Sequence, residues 1–98
     1  MEVEFEDEKL ERLETDRKYD GGYAQGMVKA FRMRIQFIRG SDDERQFSAW
    51  RALRFEKLKG DRADQYSMRL KDQWRLILKL RKEPTGKTVV VVSITDYH

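Results

Sequence analysis

The chain has 98 residues, 40% of them Asp, Glu, Lys or Arg and 39% apolar, with a formal net charge of +3. It has no cysteine and one histidine, which excludes disulfides, thiolate nucleophiles and zinc sites built from several imidazoles. No run reaches the roughly 18 apolar residues of a membrane span and the acidic start is unlike a secretory signal, so the expectation is one soluble cytoplasmic domain over residues 1–98, with no membrane partner, no metal and no cofactor.

Val3 and Phe5 alternate with Glu2, Glu4 and Glu6, the period-two pattern of a strand with one wet face. Residues 7 to about 17 read as a helix with a narrow stripe at Leu10 and Leu13, with Asp7 and Glu8 at its positive end. Asp20-Gly21-Gly22 marks a turn. Residues 23–39 form the longest predicted helix. Tyr23, Met27, Phe31, Ile35 and Ile38 make its apolar stripe, widened by Ala30, Met33 and Phe37. Gly40 sits where a left-handed helix stop is expected. Ser41 and Glu44 have capping-box spacing, which predicts a third helix to about residue 49, anchored by Phe47 and Trp50.

From Leu53 the period changes to two. Leu53 and Phe55 alternate with Arg54 and Glu56 in a strand ending near Leu58, and Gly60 lies in a turn over residues 59–64. The next strand puts Tyr66, Met68 and Leu70 on one side and Ser67, Arg69 and Lys71 on the other. A tight turn at Asp72-Gln73 returns through Trp74, Leu76, Leu78 and Leu80, with Arg75, Ile77, Lys79 and Arg81 opposite. Pro84 and Gly86 mark a loop over residues 82–87, and the β-branched run 89–95 reads as a strand buried on both faces. The predicted fold class is α+β: an N-terminal strand and two to three helices on one face of a mostly antiparallel, four- to five-stranded sheet.

Charge is uneven along the chain: −5 over residues 1–20, +2 over 21–49 and +6 over 50–98. A basic half suggests an anionic partner, against the alternative of a solvated sheet face. Hairpin pairing would gather Arg69, Lys71 and Arg75, with Lys59 and Arg62 flanking the preceding turn. Tyr66, Trp74 and Tyr97 are available for stacking, although Tyr66 and Trp74 lie on apolar faces and suit the core as well. The terminal Asp96-Tyr97-His98 adds an acid, a phenol and an imidazole. RNA can be cut without metal when its own 2′-hydroxyl attacks the adjacent phosphorus. That needs a base, an acid for the departing 5′-oxygen, and cations for the charge growing on phosphorus. Lys59 and Arg75 can serve as those cations.

Leu58-Lys59-Gly60-Asp61-Arg62, Tyr66-Ser67 opening a strand, Trp74-Arg75, and Asp96-Tyr97-His98 together resemble the HigB toxins, also called plasmid maintenance system killer proteins, a branch of the RelE-like toxins. The resemblance covers most of the chain, and its specific part is residues 58–98. It implies a ribosome-dependent endoribonuclease, an mRNA interferase acting on message in the A site of the 70S ribosome. It also implies a HigA-type helix-turn-helix antitoxin, with operator DNA bound only through that antitoxin. The implied catalytic residues are Lys59, Arg75, Asp96, Tyr97 and His98, with Glu56, Arg62, Arg69 and Lys71 at the substrate. Glu56 stands where some members have a histidine, which leaves the base open among Glu56, Asp96 and His98. Lys71 stands where some have arginine, keeping the charge but losing the bidentate fork. Two other functions fit the same fold: a toxin that inhibits DNA gyrase by binding, and a non-catalytic RNA-binding module.

Overall fold

Three helices pack on one face of a five-stranded sheet in the computed structural model, which describes residues 1–96. The strands are β1 (Glu2–Phe5), β2 (Glu56–Lys57), β3 (Tyr66–Lys71), β4 (Trp74–Glu83) and β5 (Gly86–Asp96), and the sheet order is β1-β5-β4-β3-β2. β1 runs parallel to β5; every other neighbouring pair is antiparallel. This is the α+β architecture expected from the sequence.

The helices are α1 (Glu8–Thr15), α2 (Gln25–Gly40) and α3 (Arg45–Ala49). Met27, Phe31, Ile35 and Ile38 recur every three or four residues and so fall on one side of α2, where all four are buried. They meet Met68, Leu76, Leu78, Val89 and Val91 from the sheet, while Leu10 and Leu13 from α1 and Phe47 from α3 close the margins. Each such side chain stabilises the fold by roughly 1.5–3 kcal/mol relative to its exposed state. No helix among the described residues is long and apolar enough to cross a membrane.

Several local expectations are corrected. α1 ends at Thr15 because the Asp16 carboxylate accepts the backbone N–H of Lys18 at 3.0 Å, an alternative to another helical turn. α2 starts at Gln25, since Tyr23 belongs to the Asp20-Gly21-Gly22 turn, where both glycines have positive φ. Gly40 is the last helical residue and not a left-handed stop; the chain leaves through extended Ser41, whose hydroxyl donates to the Phe37 carbonyl at 2.8 Å. Ser41 therefore closes α2 and does not open α3. The capping box is absent: the Glu44 side chain pairs with Lys87, and Asp43 accepts the Arg45 backbone N–H at 2.8 Å. Phe47 anchors α3 alone, for Trp50 is 45% exposed.

The strand expected from Leu53 begins only at Glu56. Leu53 closes a 3-10 turn (Arg51–Leu53), and Arg54, at φ 47°, breaks the alternation. The predicted loop over residues 82–87 shrinks to Pro84 and Thr85, because Glu83 already pairs with Gly86. β5 is buried through Val91 only and half-buried from Val92 onward.

Two register shifts decide which side chains share a face. One lies in the β3–β4 ladder between Arg69 and Lys71; the other lies where Ile77 pairs with Ser93 but Leu78 pairs with Val91. The first bulge puts Lys71 beside Trp74, on the helix side, instead of on the Arg69 side expected from simple alternation. A Cβ on Gly26, in the first turn of α2, would lie 2.6 Å from the Lys71 Nζ, so the ammonium runs over that glycine.

Candidate nucleic-acid interface

The helix-free face of the sheet is laid out in rows by strand register. One row is Glu56, Ser67, Ile77 and Ser93; the next is Arg69, Arg75 and Thr95. Further along, Lys79 faces Val90 and Glu4, and Arg81 faces Thr88 and Glu2. Small β5 residues between β4 and β1 let long side chains meet across them.

That arrangement divides the cations of β4. Lys79 reaches Glu6 at 3.2 Å and Asp64 at 3.8 Å, while Arg81 pairs with Glu4 and with Glu83, the latter at 2.9 Å. Hydrogen bonds that Arg81 donates to Glu4 and Glu83 push its pKa up. In turn, the Thr88 hydroxyl, followed by Arg81, holds the Glu83 carboxyl below its usual range. Part of the acidic N-terminal segment thus lies against the basic half and neutralises its β1 side.

The other end is different. Arg75 is half-buried, and its Nε and Nη1 are fully covered yet have no hydrogen-bond partner among the described residues. Arg69, which is exposed, stands directly opposite as a second cation. On the other flank, Thr95 pairs with Arg75, and the Thr95 and Ser93 hydroxyls lie 3.2 Å apart. Buried donors without partners are rare in folded proteins, because each carries the cost of lost hydration. Two such nitrogens on a guanidinium are suited to an anion.

The remaining expected residues are distributed around this row. Glu56 shares the face, two strands and two residues away, about 12 Å from Arg75 between backbones at standard spacings. Lys59 precedes a 3-10 turn (Gly60–Arg62) beyond the end of the β2–β3 ladder, which the Leu58 N–H to Gln65 carbonyl bond closes at 2.9 Å. The Gln65 level lies four residues, about 14 Å, along the strands from the Arg69 row. Arg62 sits in the same turn, its Nε donating to Gln65 at 3.3 Å. Lys71 is on the helix side. Asp96 pairs with Trp74 and follows the parity of Ile94, which also directs it to the helix side. Tyr97 and His98 lie outside the described residues.

Trp74 meets Tyr23 edge-on at 5.7 Å, and Tyr66 stacks on Phe55 at 5.1 Å, so both rings serve the packing of the helix side. Ser93 and Thr95 were hidden within a run read as wholly buried. Their alternation with Val92 and Ile94 was the signal that could have exposed them.

A family model described as a RelE-like toxin of type II toxin–antitoxin system HigB matches residues 3–98. Among solved structures, the chain is similar to a YoeB/ParE toxin from Agrobacterium tumefaciens, at 17% identity and a TM-score of 0.63, with both chains covered in full. It is also similar to the YoeB dimer from Staphylococcus aureus, at 20% identity and a TM-score of 0.52, covering 100% of this chain and 97% of the other. At these identities the two structures speak for the fold alone. No curated protein matches.

Proposed function

The chain belongs to the HigB-like family, RelE-like toxins of type II toxin–antitoxin systems, and we propose that it is an endoribonuclease, an mRNA interferase cutting message in the ribosomal A site. Cleavage proceeds by attack of the RNA 2′-hydroxyl on the adjacent phosphorus, without a metal. The single observation that carries this reading is the Arg75 guanidinium, with two covered N–H groups lacking partners on the helix-free face. A scissile phosphate would satisfy those donors, and their contribution grows as charge develops on the phosphorane oxygens. Arg69, across the ladder, holds the same or the next phosphate.

For the proton transfers, Glu56 is a carboxylate on Arg75's face outside the pairs that Lys79 and Arg81 make, and the backbone separation leaves room for a nucleotide between them. We assign it the base. By resemblance, Tyr97 and His98 supply the acid for the 5′-oxygen, and Asp96, beside Trp74 at the end of β5, positions that tail. Lys59 and Arg62, at the far end of the β2–β3 ladder, hold flanking phosphates. A type II toxin implies an antitoxin. A HigA-type helix-turn-helix partner that covers this face would block the RNA and supply all contact with operator DNA.

The test is to incubate translating ribosomes with the protein and map new 5′ ends, with Arg75→Ala and Glu56→Gln alongside. Cuts within A-site codons that disappear in both variants support the assignment. Intact message together with blocked DNA supercoiling would overturn it in favour of a gyrase inhibitor. Binding without any cleavage would favour a non-catalytic RNA-binding module.

A further inference from the structure

Beyond the two residues of β2, the outer edge of β3 is open, and the Arg69 carbonyl there accepts a hydrogen bond from Arg34 Nη1 of α2. The same guanidinium lies 5.2 Å from the centroid of the Trp50 ring. Trp50 is held on edge against Phe37, with centroids 4.9 Å apart and planes at 75°, and it remains 45% exposed. Between them and the end of β3 lies a shallow cleft of about 340 Å³, lined by Arg34, Trp50, Leu53, Arg69, Lys71 and Asp72. Arg34 places its guanidinium beside the exposed indole, while Arg69 turns its charge to the Arg75 row and the Lys71 ammonium runs over Gly26. Burial pulls the Arg34 pKa down to about 10.

We propose that this cleft is a second nucleotide subsite, in which a base of single-stranded RNA stacks on Trp50 with its phosphate at Arg34, the backbone running on to the Arg69 side chain across the β3 edge. The inference rests on the ribonuclease reading and extends it, because Arg69 belongs to both places. Its side chain shares the Arg75 row, and its backbone forms the wall of the cleft. A strand leaving Arg75 can turn around the β3 edge onto Trp50 without crossing the acid-neutralised end of the face. An exposed aromatic beside a cation is how single strands are held without sequence preference. An apolar protein surface laid here would desolvate Arg34 further and bring no anion, which favours RNA over a protein occupant.

The probe is a fluorescently labelled, ten-nucleotide 2′-O-methyl oligoadenylate, which lacks the attacking hydroxyl and stays intact. Binding is followed by anisotropy, and Trp50 emission is read in a Trp74→Phe background. Saturable quenching that weakens with salt is expected. Trp50→Ala should weaken binding about five- to hundredfold, the worth of one stacked base. Trp50→Phe, which keeps a π-face, should recover most of it. Circular dichroism of each variant separates lost affinity from lost fold, and the emission readout stands without any change at Trp50. Binding that falls with Arg75→Ala but survives Trp50→Ala, with Trp50 emission unmoved, overturns the subsite and leaves the ribonuclease reading intact. An oligomer that does not bind the parent protein at all also overturns the subsite, while cleavage on the ribosome is judged separately by the mapped 5′ ends.

Discussion

Arg75→Met should make the protein more stable and less active at once. The parent holds two covered, unpartnered N–H groups on a cation, with Arg69 opposite as a like charge. An unsatisfied buried donor costs about 1–3 kcal/mol. Because Arg75 as a whole residue is only half-buried, the lower end applies to each nitrogen, or about 2 kcal/mol for the pair. Methionine keeps an apolar stem of similar reach and removes both donors and the repulsion. Some stem packing is lost, so the net gain should be about 1–2 kcal/mol, a rise in melting temperature of roughly 5–10 °C for a domain this small. Activity on translating ribosomes should fall about 10²–10³-fold, as when one preorganised donor to a developing oxyanion is removed. The assay is urea or thermal unfolding of both proteins with and without inorganic phosphate. An anion binding at ten times its Kd stabilises by about 1.4 kcal/mol, and it should do so only in the parent. A variant that melts lower than the parent, or responds equally to phosphate, would refute the view that Arg75 is held unsatisfied for a ligand.

Replacing Glu4 and Glu6 by Gln should leave Arg81 with Glu83 and Lys79 with the more distant Asp64 as their remaining partners, extend the cationic face toward β1, and tighten binding to a non-cleavable RNA. The slope of log K against log salt should steepen by up to about 1.4, roughly 0.7 for each new phosphate contact; an unchanged slope would show that these pairs do not gate the face. Trp74→Ala should cost about 3 kcal/mol, the low end for a large aromatic because Trp74 is half-buried against Tyr23, and urea unfolding checks it. Asp16, Asp43 and Glu83 have carboxyl pKa values held below their usual range, Asp16 chiefly by the Lys18 backbone N–H, Asp43 by Arg45 and Glu83 by Thr88. Folded values below unfolded ones mean stability that is present above about pH 4 and lost as the pH falls further. The urea midpoint should therefore decline modestly from pH 5 to pH 2; a midpoint that rises would reverse the assigned sign.

The legible parts of this fold were those in which one periodicity dominates. Met27, Phe31, Ile35 and Ile38 could share a face only in a helix, and the Trp74-to-Leu80 alternation only in a strand. The illegible parts were those where two local signals competed. Ser41 has the chemistry of a helix opener and also of a helix closer; the free Phe37 carbonyl beside it decided the matter, and nothing in the spacing to Glu44 revealed that. Leu53 and Phe55 fit a strand, but both are satisfied equally by a turn that directs them into one core across a left-handed Arg54. Trp50 was assigned to the core by residue type, whereas it stays 45% exposed with the Arg34 guanidinium over its ring.

The candidate site was legible in composition and not in sidedness. Alternation assigns side chains correctly until a bulge intervenes, and this sheet has two. At the first, Leu70 keeps its place in the core and Lys71 is displaced to the helix side beside Gly26, so two cations read as neighbours are parted by the sheet itself. At the second, the extra residue in β5 resets which of Ser93, Ile94, Thr95 and Asp96 stands beside Arg75, and the outcome is the two hydroxyls with Asp96 one parity away. The sequence motif that drew attention to the C-terminus is thus attached to the Arg75 row by a single residue step at the strand end. Deleting Val92 would remove the extra residue and move each side chain from Ser93 to Asp96 to the opposite face, bringing Asp96 to the Arg75 side, while leaving every proposed site residue in the chain. If such a protein folds and still cleaves message at the parent's rate, the tail has no part in the chemistry at Arg75, and the proton transfers rest with Glu56 and solvent.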